Sequence, residues 1–238
     1  MLRARAETWV KGQLSLITKR GEQLMEMYEI LLSRFGPQYW WPGETELEVM
    51  VGAVLTQNTN WKNVERAIKR LKEEDMLSLR ALHSLSIQDL ARMIRPAGYY
   101  NVKARRLKNL VRFVLERCGE DLSLFLNQET DELRDGLLSV KGIGEETADS
   151  ILLYAARRPV FVIDAYTYRI LSRHGMVVEQ SSYSELQSLF MDNLPRDREL
   201  YGEFHALIVR TGKEFCLSSK PKCRGCPLGH WGDIPPLN

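Results

Sequence analysis

Apolar residues recur at three- and four-residue spacing along almost the whole chain, and this spacing predicts a succession of α-helices. In the first predicted helix, near 20–34, the residues Leu24, Tyr28 and Leu31 share one face. Further helices are predicted around 64–71 and near 45–56, 76–82, 87–95, 101–117, 121–126, 130–139, 145–156, 164–174, 183–193 and 198–215. The stretch Pro159–Ile163 is apolar and β-branched, but it is short and solitary. The sequence therefore predicts an all-α fold with short connections.

Length and composition limit the class of protein. Of the 238 residues 44% are hydrophobic, which is enough for one large domain or two small lobes and excludes a disordered chain. No uncharged apolar run approaches the roughly 18–20 residues that a membrane span needs. The charges scattered through residues 1–20 do not fit a secretory signal. We therefore expect a cytoplasmic protein without a membrane partner, and a monomer, because nothing suggests an obligate oligomer.

Basic residues cluster locally although the net charge is only +2. The segment 101–112 contains five basic residues and no acidic one, and a second basic group lies between 210 and 224. Such clusters can neutralise DNA phosphates. Ordinary solvated helix faces have the same composition, so charge alone does not identify a partner.

The turn formed by Lys141, Gly142, Ile143 and Gly144 separates two predicted helices and is the central motif of the sequence. Two glycines two residues apart permit positive φ and a close approach of another backbone. The amides of such a turn, together with the N-terminus of the next helix, can bind a phosphate, while Ile143 fills the gap between the helices. This is the helix-hairpin-helix pattern, which binds the DNA backbone independently of sequence. A plain αα-hairpin turn is the alternative interpretation.

Three further segments make the motif specific. Pro159 precedes Val162–Arg169, which contains Asp164 about twenty residues after the turn, and the segments Leu55–Thr59 and Ile94–Ala104 lie upstream in the matching order. Together they resemble the endonuclease III superfamily of helix-hairpin-helix DNA glycosylases from about residue 20 to about residue 228. The resemblance implies a six-helix lobe over 45–154 that contains the hairpin, and a second lobe made of 1–44 and 155–238. DNA is then expected across a cleft between these lobes.

The same resemblance implies a set of functional residues. Double-stranded DNA containing damaged bases is the expected partner, and the protein is expected at the nucleoid. The glutamine of Leu55–Thr59 is the family residue that fills the hole left by a flipped nucleotide. The implied DNA-binding residues are Gln57, Lys141, Gly142, Ile143, Gly144 and Thr147.

Asp164 and Glu146 are the candidate catalytic residues. Asp164 matches the essential aspartate of the family, and at a helix N-terminus it also predicts an ordinary N-cap; the two roles are compatible. Bifunctional relatives have a lysine two residues after the second glycine, which attacks the sugar and forms a Schiff base. Here that residue is Glu146, and a carboxylate cannot form an imine. We therefore expect water as the nucleophile and no lyase activity, with Glu146 either assisting electrostatically or lying idle on the surface.

An aromatic segment points to the base that is removed. Trp40, Trp41 and Pro42, followed by Trp61 just after the glutamine segment, resemble the base pocket of the 3-methyladenine DNA glycosylases in this superfamily. Indole rings bind a cationic alkylated purine by stacking and cation–π attraction, about 0.5–2 kcal/mol per contact. The predicted function is the hydrolysis of alkylated purines from DNA in base excision repair. The alternatives are a monofunctional glycosylase for mispaired or oxidised bases and a DNA-damage-binding module without turnover, and core packing is the alternative role for the tryptophans.

Three cysteines near the C-terminus have the spacing of a metal site. Cys216, Cys223 and Cys226 match the first three ligands of the family's four-iron, four-sulfur (4Fe-4S) cluster, but Gly232 stands at the fourth position. His230 is the nearest remaining soft ligand. Three interpretations stay open: a cluster completed by His230 or an external ligand, a zinc ion held by three cysteines and a histidine, and a site that has lost its metal. A cluster at this iron-sulfur-type loop is predicted to be structural.

Overall fold

All regular structure in residues 18–40, 43–178 and 180–231, which are the residues that the computed structural model describes, is helical. The predicted all-α class is confirmed for these ranges, and none of their helices is long and apolar enough to cross a membrane. The α-helices are α1 (Lys19–Phe35), α2 (Glu46–Leu55), α3 (Trp61–Glu73), α4 (Leu79–Ser84), α5 (Ile87–Met93), α6 (Tyr100–Cys118), α7 (Leu122–Leu126), α8 (Thr130–Ser139), α9 (Glu145–Ser150), α10 (Ala165–Arg173), α11 (Tyr183–Met191) and α12 (Arg198–Glu214).

Most helix starts are fixed by a polar residue whose side chain accepts a backbone N–H of the first turn, as an N-cap does. Such caps include Thr18, Thr45, Asn60, Ser78, Ser86, Asp121, Asp164, Ser182 and Asp197. One predicted boundary is corrected by its cap. The helix expected over 76–82 begins at Leu79, because the hydroxyl of Ser78 accepts the N–H of Ala81 at 3.2 Å.

The described residues form two compact units, whose boundaries fall after Trp40 and after Val160. The unit that ends at Val160 is built around α2, of which every residue from Glu48 to Leu55 is buried. This unit contains eight α-helices in its described part, as many as the periodicity predicts over this range, whereas the resemblance implies a six-helix lobe. The boundaries also differ from the predicted 44/45 and 154/155, since the chain continues beyond α9 in a π-helical segment, Ile151–Ala155.

The other unit contains α1, α10, α11 and α12 and has an aromatic core. Phe161 stacks on Phe190 with ring centroids 3.8 Å apart, and Phe204 meets both rings edge-on. Phe161 belongs to the β-branched stretch that precedes Asp164, so this stretch serves as buried packing and not as a strand. Packing of this segment fixes the start of α10 within its unit.

Candidate functional site

The hairpin turn lies between α8 and α9, as the sequence predicts. Gly142 has φ +99°, a conformation that favours glycine, and a Cβ atom at this position would collide with the side chain of Arg106. Gly144 differs from the prediction: its backbone is extended, with φ −102° and ψ 179°. A Cβ atom on Gly144 would meet no atom of the described residues within 4 Å. Ile143 between them is buried, as predicted.

Gln57 fastens the hairpin turn from within the same unit. Its amide nitrogen donates to the carbonyl of Gly142 at 3.3 Å and to the hydroxyl of Thr147 at 2.9 Å, and the guanidinium of Arg106 donates to its amide oxygen. Asn109 donates to the carbonyl of Lys141 at 2.9 Å, so two successive carbonyls of the turn have side-chain donors. In this structure the side chain of Gln57 is bonded to the hairpin; its entry into a DNA stack stays a prediction.

Thr147 and Lys141 lie differently although both were predicted to contact DNA. Thr147 is buried and its hydroxyl accepts a hydrogen bond from Gln57, so its contact with DNA stays a prediction. Lys141 and Glu146 are exposed, and Glu146 lies in the first turn of α9. The carboxylate that takes the place of the family lysine is therefore reachable by a ligand.

A buried ion pair joins the two hairpin helices, and the sequence analysis missed it. The Nε and Nη2 atoms of Arg134 on α8 donate to the two carboxylate oxygens of Asp149 on α9, at 2.7 and 3.0 Å. The side chain of Asp149 has 0% exposure. A bidentate ion pair of this kind fixes the angle between the two helices and also stabilises their packing.

Lys103 holds the end of the helix that leads to Gln57. Its ammonium is buried and donates to the carbonyls of Leu55 and Ala97 at 2.8 and 2.7 Å. Burial, with a smaller contribution from the charge of Arg106, lowers the pKa of Lys103 to about 8. Lys103, the lysine of the segment Ile94–Ala104, thus connects two backbone carbonyls inside its unit. Tyr99 in the same segment is 72% exposed and has φ +45°.

Asp164 is the N-cap of α10, as predicted. Its Oδ1 atom accepts the backbone N–H of Thr167 at 2.7 Å and the hydroxyl of Thr167 at 2.9 Å. Its Oδ2 atom lies 3.7 Å from Nε2 of His205 on α12, and the Asp164 side chain keeps 11% exposure. Burial alone raises the pKa of Asp164, but the interactions with His205 and Thr167 outweigh it and leave the pKa below its usual value. The carboxylate is therefore ionised at neutral pH.

Two basic residues of α12 complete this cluster, and the sequence analysis missed both. His205 is a buried histidine among the apolar residues of the helix, a signal that the sequence does contain. The ammonium of Lys213 lies 5.2 Å from the ring centroid of Trp40, and the negative charge of Asp164 acts on it. Asp164, His205, Lys213 and Trp40, which we call the aspartate cluster, therefore come together within one unit.

The remaining aromatic positions are less defined. The indole N–H of Trp40 is buried without an acceptor among the described residues. Trp61 is the first residue of α3 and is partly exposed. Trp41 and Pro42, which the sequence analysis placed in the base pocket, lie outside the described residues.

The three cysteines follow α12. Burial raises the pKa of the Cys226 thiol, and the negative charges of Cys216 and Cys223 raise it further. Arg173 donates to Sγ of Cys216 at 3.2 Å. Over the described ranges, however, no three His, Cys, Asp or Glu side chains are arranged to hold a metal ion. His230 is exposed, and Gly232 lies outside those ranges, so the predicted cluster stays a prediction.

Comparisons with known proteins identify the family. The family described as "HhH-GPD superfamily base excision DNA repair protein" matches residues 51–196. A DNA repair glycosylase of Methanocaldococcus jannaschii is 50% identical over 208 residues, covering 87% of this chain and 94% of that protein. Endonuclease III of Sulfolobus acidocaldarius is 30% identical over 210 residues, covering 87% and 90%.

A solved structure agrees with these relatives. The 3-methyladenine DNA glycosylase of H. pylori, bound to 1,N6-ethenoadenine, superposes with a TM-score of 0.68 at 31% identity, covering 83% of this chain and 98% of that one. The chain belongs to the helix-hairpin-helix (HhH-GPD) superfamily of base excision DNA repair glycosylases.

Proposed function

We propose that the protein is a monofunctional DNA glycosylase, which hydrolyses the N-glycosidic bond of a damaged base and leaves the DNA strand intact at an abasic site. The observation that carries this proposal is the Asp164 carboxylate, which stays ionised in a largely buried cap. Cleavage of the bond builds positive charge on the deoxyribose, and a fixed carboxylate in a partly dry site stabilises that charge. The Asp164 side chain keeps 11% exposure, so the carboxylate is not sealed from a ligand.

The nucleophile in this proposal is water. The position of the family lysine holds Glu146, which is exposed in the first turn of α9 and has no amine with which to form a Schiff base. Asp164 orients and activates the water, as a carboxylate does in glycoside hydrolysis. Two roles stay open for Glu146: it assists electrostatically, or it lies on the surface without a catalytic part.

The hairpin supplies the grip on DNA. Gly144 is extended and faces no atom of the described part of its chain, so nothing in that part of the fold requires glycine there. A phosphate that approaches the amides at the start of α9 does require it, because a side chain would stand in its path. We propose that Gly142 and Gly144 with Lys141 bind the DNA backbone, and that the exposed ring of Tyr99 stacks on a base of the duplex.

For the base itself we propose an alkylated purine of the 3-methyladenine type. Trp40, Trp41, Pro42 and Trp61 are the proposed pocket residues, and the similarity to the H. pylori glycosylase supports this assignment. A second candidate is a neutral mispaired or oxidised base. It is favoured by Lys213, whose ammonium lies over the Trp40 ring and would repel a cationic base.

We also propose that the cysteine loop holds an iron-sulfur cluster through Cys216, Cys223 and Cys226, with the fourth ligand from outside these residues. The role of the cluster would be structural, because it would hold in place the loop that carries the basic residues Lys220, Lys222 and Arg224. Iron and sulfide analysis of protein purified without oxygen tests this. Three cysteine-to-serine variants that retain stability and iron content would contradict it.

The experiment that tests the function is single-turnover base release by Asp164→Asn. Asparagine is also a good N-cap, so the start of α10 is preserved while the charge is lost. The matched control is Asp197→Asn, because Asp197 caps α12 by accepting the N–H of Leu200 at 2.8 Å. Duplexes containing 7-methylguanine, 3-methyladenine, uracil or 8-oxoguanine are tested side by side. We expect Asp164→Asn to bind DNA without releasing a base and Asp197→Asn to act normally. If the native protein binds damage but releases no base, it is a sensor and the proposal fails.

A further inference from the structure

We infer that Lys213 tunes the charge preference of the site: it weakens binding of the cationic alkylated purine proposed above and assists the neutral bases of the second candidate, which leave as anions. This inference rests on the proposed glycosylase function. It assigns a role to a residue that the reaction described above does not use. Three observations within one unit lead to it.

The first observation is the position of the ammonium. Lys213 lies in the last turn of α12, and its Nζ atom is 5.2 Å from the centroid of the Trp40 ring. An ammonium in this place already uses the cation–π attraction of the indole face, which a cationic base would need for its own binding. A second cation on the same indole meets repulsion from Lys213 instead of that attraction.

The second observation is the rigidity of the Trp40 loop. Glu203 on α12 accepts the backbone N–H of Gln38 at 2.6 Å, and Arg210 donates to the side chain of Gln38 at 3.2 Å. The loop that ends in Trp40 is therefore fastened to the helix that carries Lys213. This attachment keeps the backbone of the Trp40 loop close to the helix from which Lys213 reaches the indole.

The third observation is the neighbourhood of Asp164. Burial lowers the pKa of Lys213, and the negative charge of Asp164 on the same unit opposes this effect, so the two groups interact electrostatically. No hydrogen bond or ion pair to Lys213 is present among the described residues, so its donors are available to a ligand. A base that departs with a negative charge on its carbonyl oxygen or ring nitrogen is stabilised by such a donor, whereas a base that is already cationic departs neutral and gains nothing.

The test compares excision of a cationic and a neutral lesion by Lys213→Gln and Lys213→Arg. Single-turnover rates are measured on duplexes with 7-methylguanine and with uracil or 8-oxoguanine. We expect Lys213→Gln to raise the ratio of cationic to neutral excision about tenfold. Lys213→Arg keeps the charge and should keep the native ratio. The matched control is Lys69→Gln, because Lys69 is an exposed helical lysine whose only ion pair in the described ranges is with Glu73 at 3.7 Å.

A binding measurement keeps this inference separable from the proposed function. The indole N–H signal of Trp40 is followed by NMR during titration with guanosine and with 7-methylguanosine held in its cationic form. Lys213→Gln should bind the cation several-fold better than the native protein does, with guanosine little changed. If both excision rates fall by one factor and the binding preference does not move, Lys213 is only structural and the inference is wrong. If no base is released but the binding preference changes, the glycosylase proposal fails and the inference stands.

Discussion

Replacing each hairpin glycine by alanine should separate the stability of the turn from its function. Gly142 has φ +99°, which costs an L-residue about 1–3 kcal/mol. A methyl group there also meets Arg106, whose Cδ atom would lie 3.0 Å from the new Cβ atom, and overpacking of this kind costs about 1–3 kcal/mol. The lower chain entropy of unfolded alanine returns about 0.4–1 kcal/mol. We therefore expect Gly142→Ala to lose about 3 kcal/mol of unfolding free energy.

Gly144→Ala is the matched variant with the opposite expectation. Its φ of −102° suits alanine, and no atom of the residues that the structure describes lies within 4 Å of the new methyl group. The folded protein should gain about 0.4–1 kcal/mol from the entropy of the unfolded chain. Binding to undamaged duplex DNA should nevertheless weaken about tenfold, which is about 1.4 kcal/mol, because the methyl group stands where the phosphate is proposed to lie.

Urea denaturation measures the first effect and fluorescence anisotropy with a labelled duplex measures the second. Gly142→Ala moves Arg106, which donates to Gln57, so it is expected to lower affinity as well as stability. The reasoning is refuted if the two variants lose the same stability. It is also refuted if Gly144→Ala binds DNA as the native protein does.

Three further predictions follow from the same unit. Arg134→Met removes the guanidinium that pairs with the buried Asp149 and should lower the unfolding free energy by about 3–5 kcal/mol. The double variant Arg134→Met with Asp149→Leu should recover most of that loss. Equal losses of the two variants in thermal melts would contradict this prediction. The pKa of Lys103 falls from 10.5 to about 8 on folding, so the unfolded chain keeps this proton to higher pH than the folded protein does. The unfolding free energy should therefore rise with pH above 8. The rise should be smaller in Lys103→Met. Tyr99→Gly removes an exposed ring from a residue in the left-handed backbone region, so the unfolding free energy should stay the same or rise by up to about 1 kcal/mol. Binding to lesion DNA should weaken, and an unchanged affinity would contradict the proposed stacking of Tyr99 on a base.

The helices, the hairpin turn and the N-cap at Asp164 could be predicted because their sequence signals are local. The cap at Asp164, the turn at Gly142 and the buried Ile143 each depend on residues within one turn of helix, and each was found from spacing. Ser78 carried the same kind of signal, but the prediction for 76–82 did not use it.

The parts that could not be predicted are long-range pairs. His205 meets Asp164, Lys213 meets Trp40 and Arg134 meets Asp149, and no periodicity relates the partners. Gln57 and Thr147 are a further such pair: both polar side chains were expected to face DNA, and in this structure a hydrogen bond joins them inside the unit. A sequence shows that a polar residue needs a partner, and only the packing shows whether the partner is internal.

The central claim is that water, and not an amine of the protein, attacks the sugar beside Asp164. Borohydride trapping on a duplex whose damaged base is released tests this most directly, with Glu146→Lys as the comparison, because that variant restores the amine at the family position. The account predicts no covalent adduct and an uncut strand for the native protein, and an adduct for Glu146→Lys. A borohydride-trapped adduct of the native protein with DNA would contradict it.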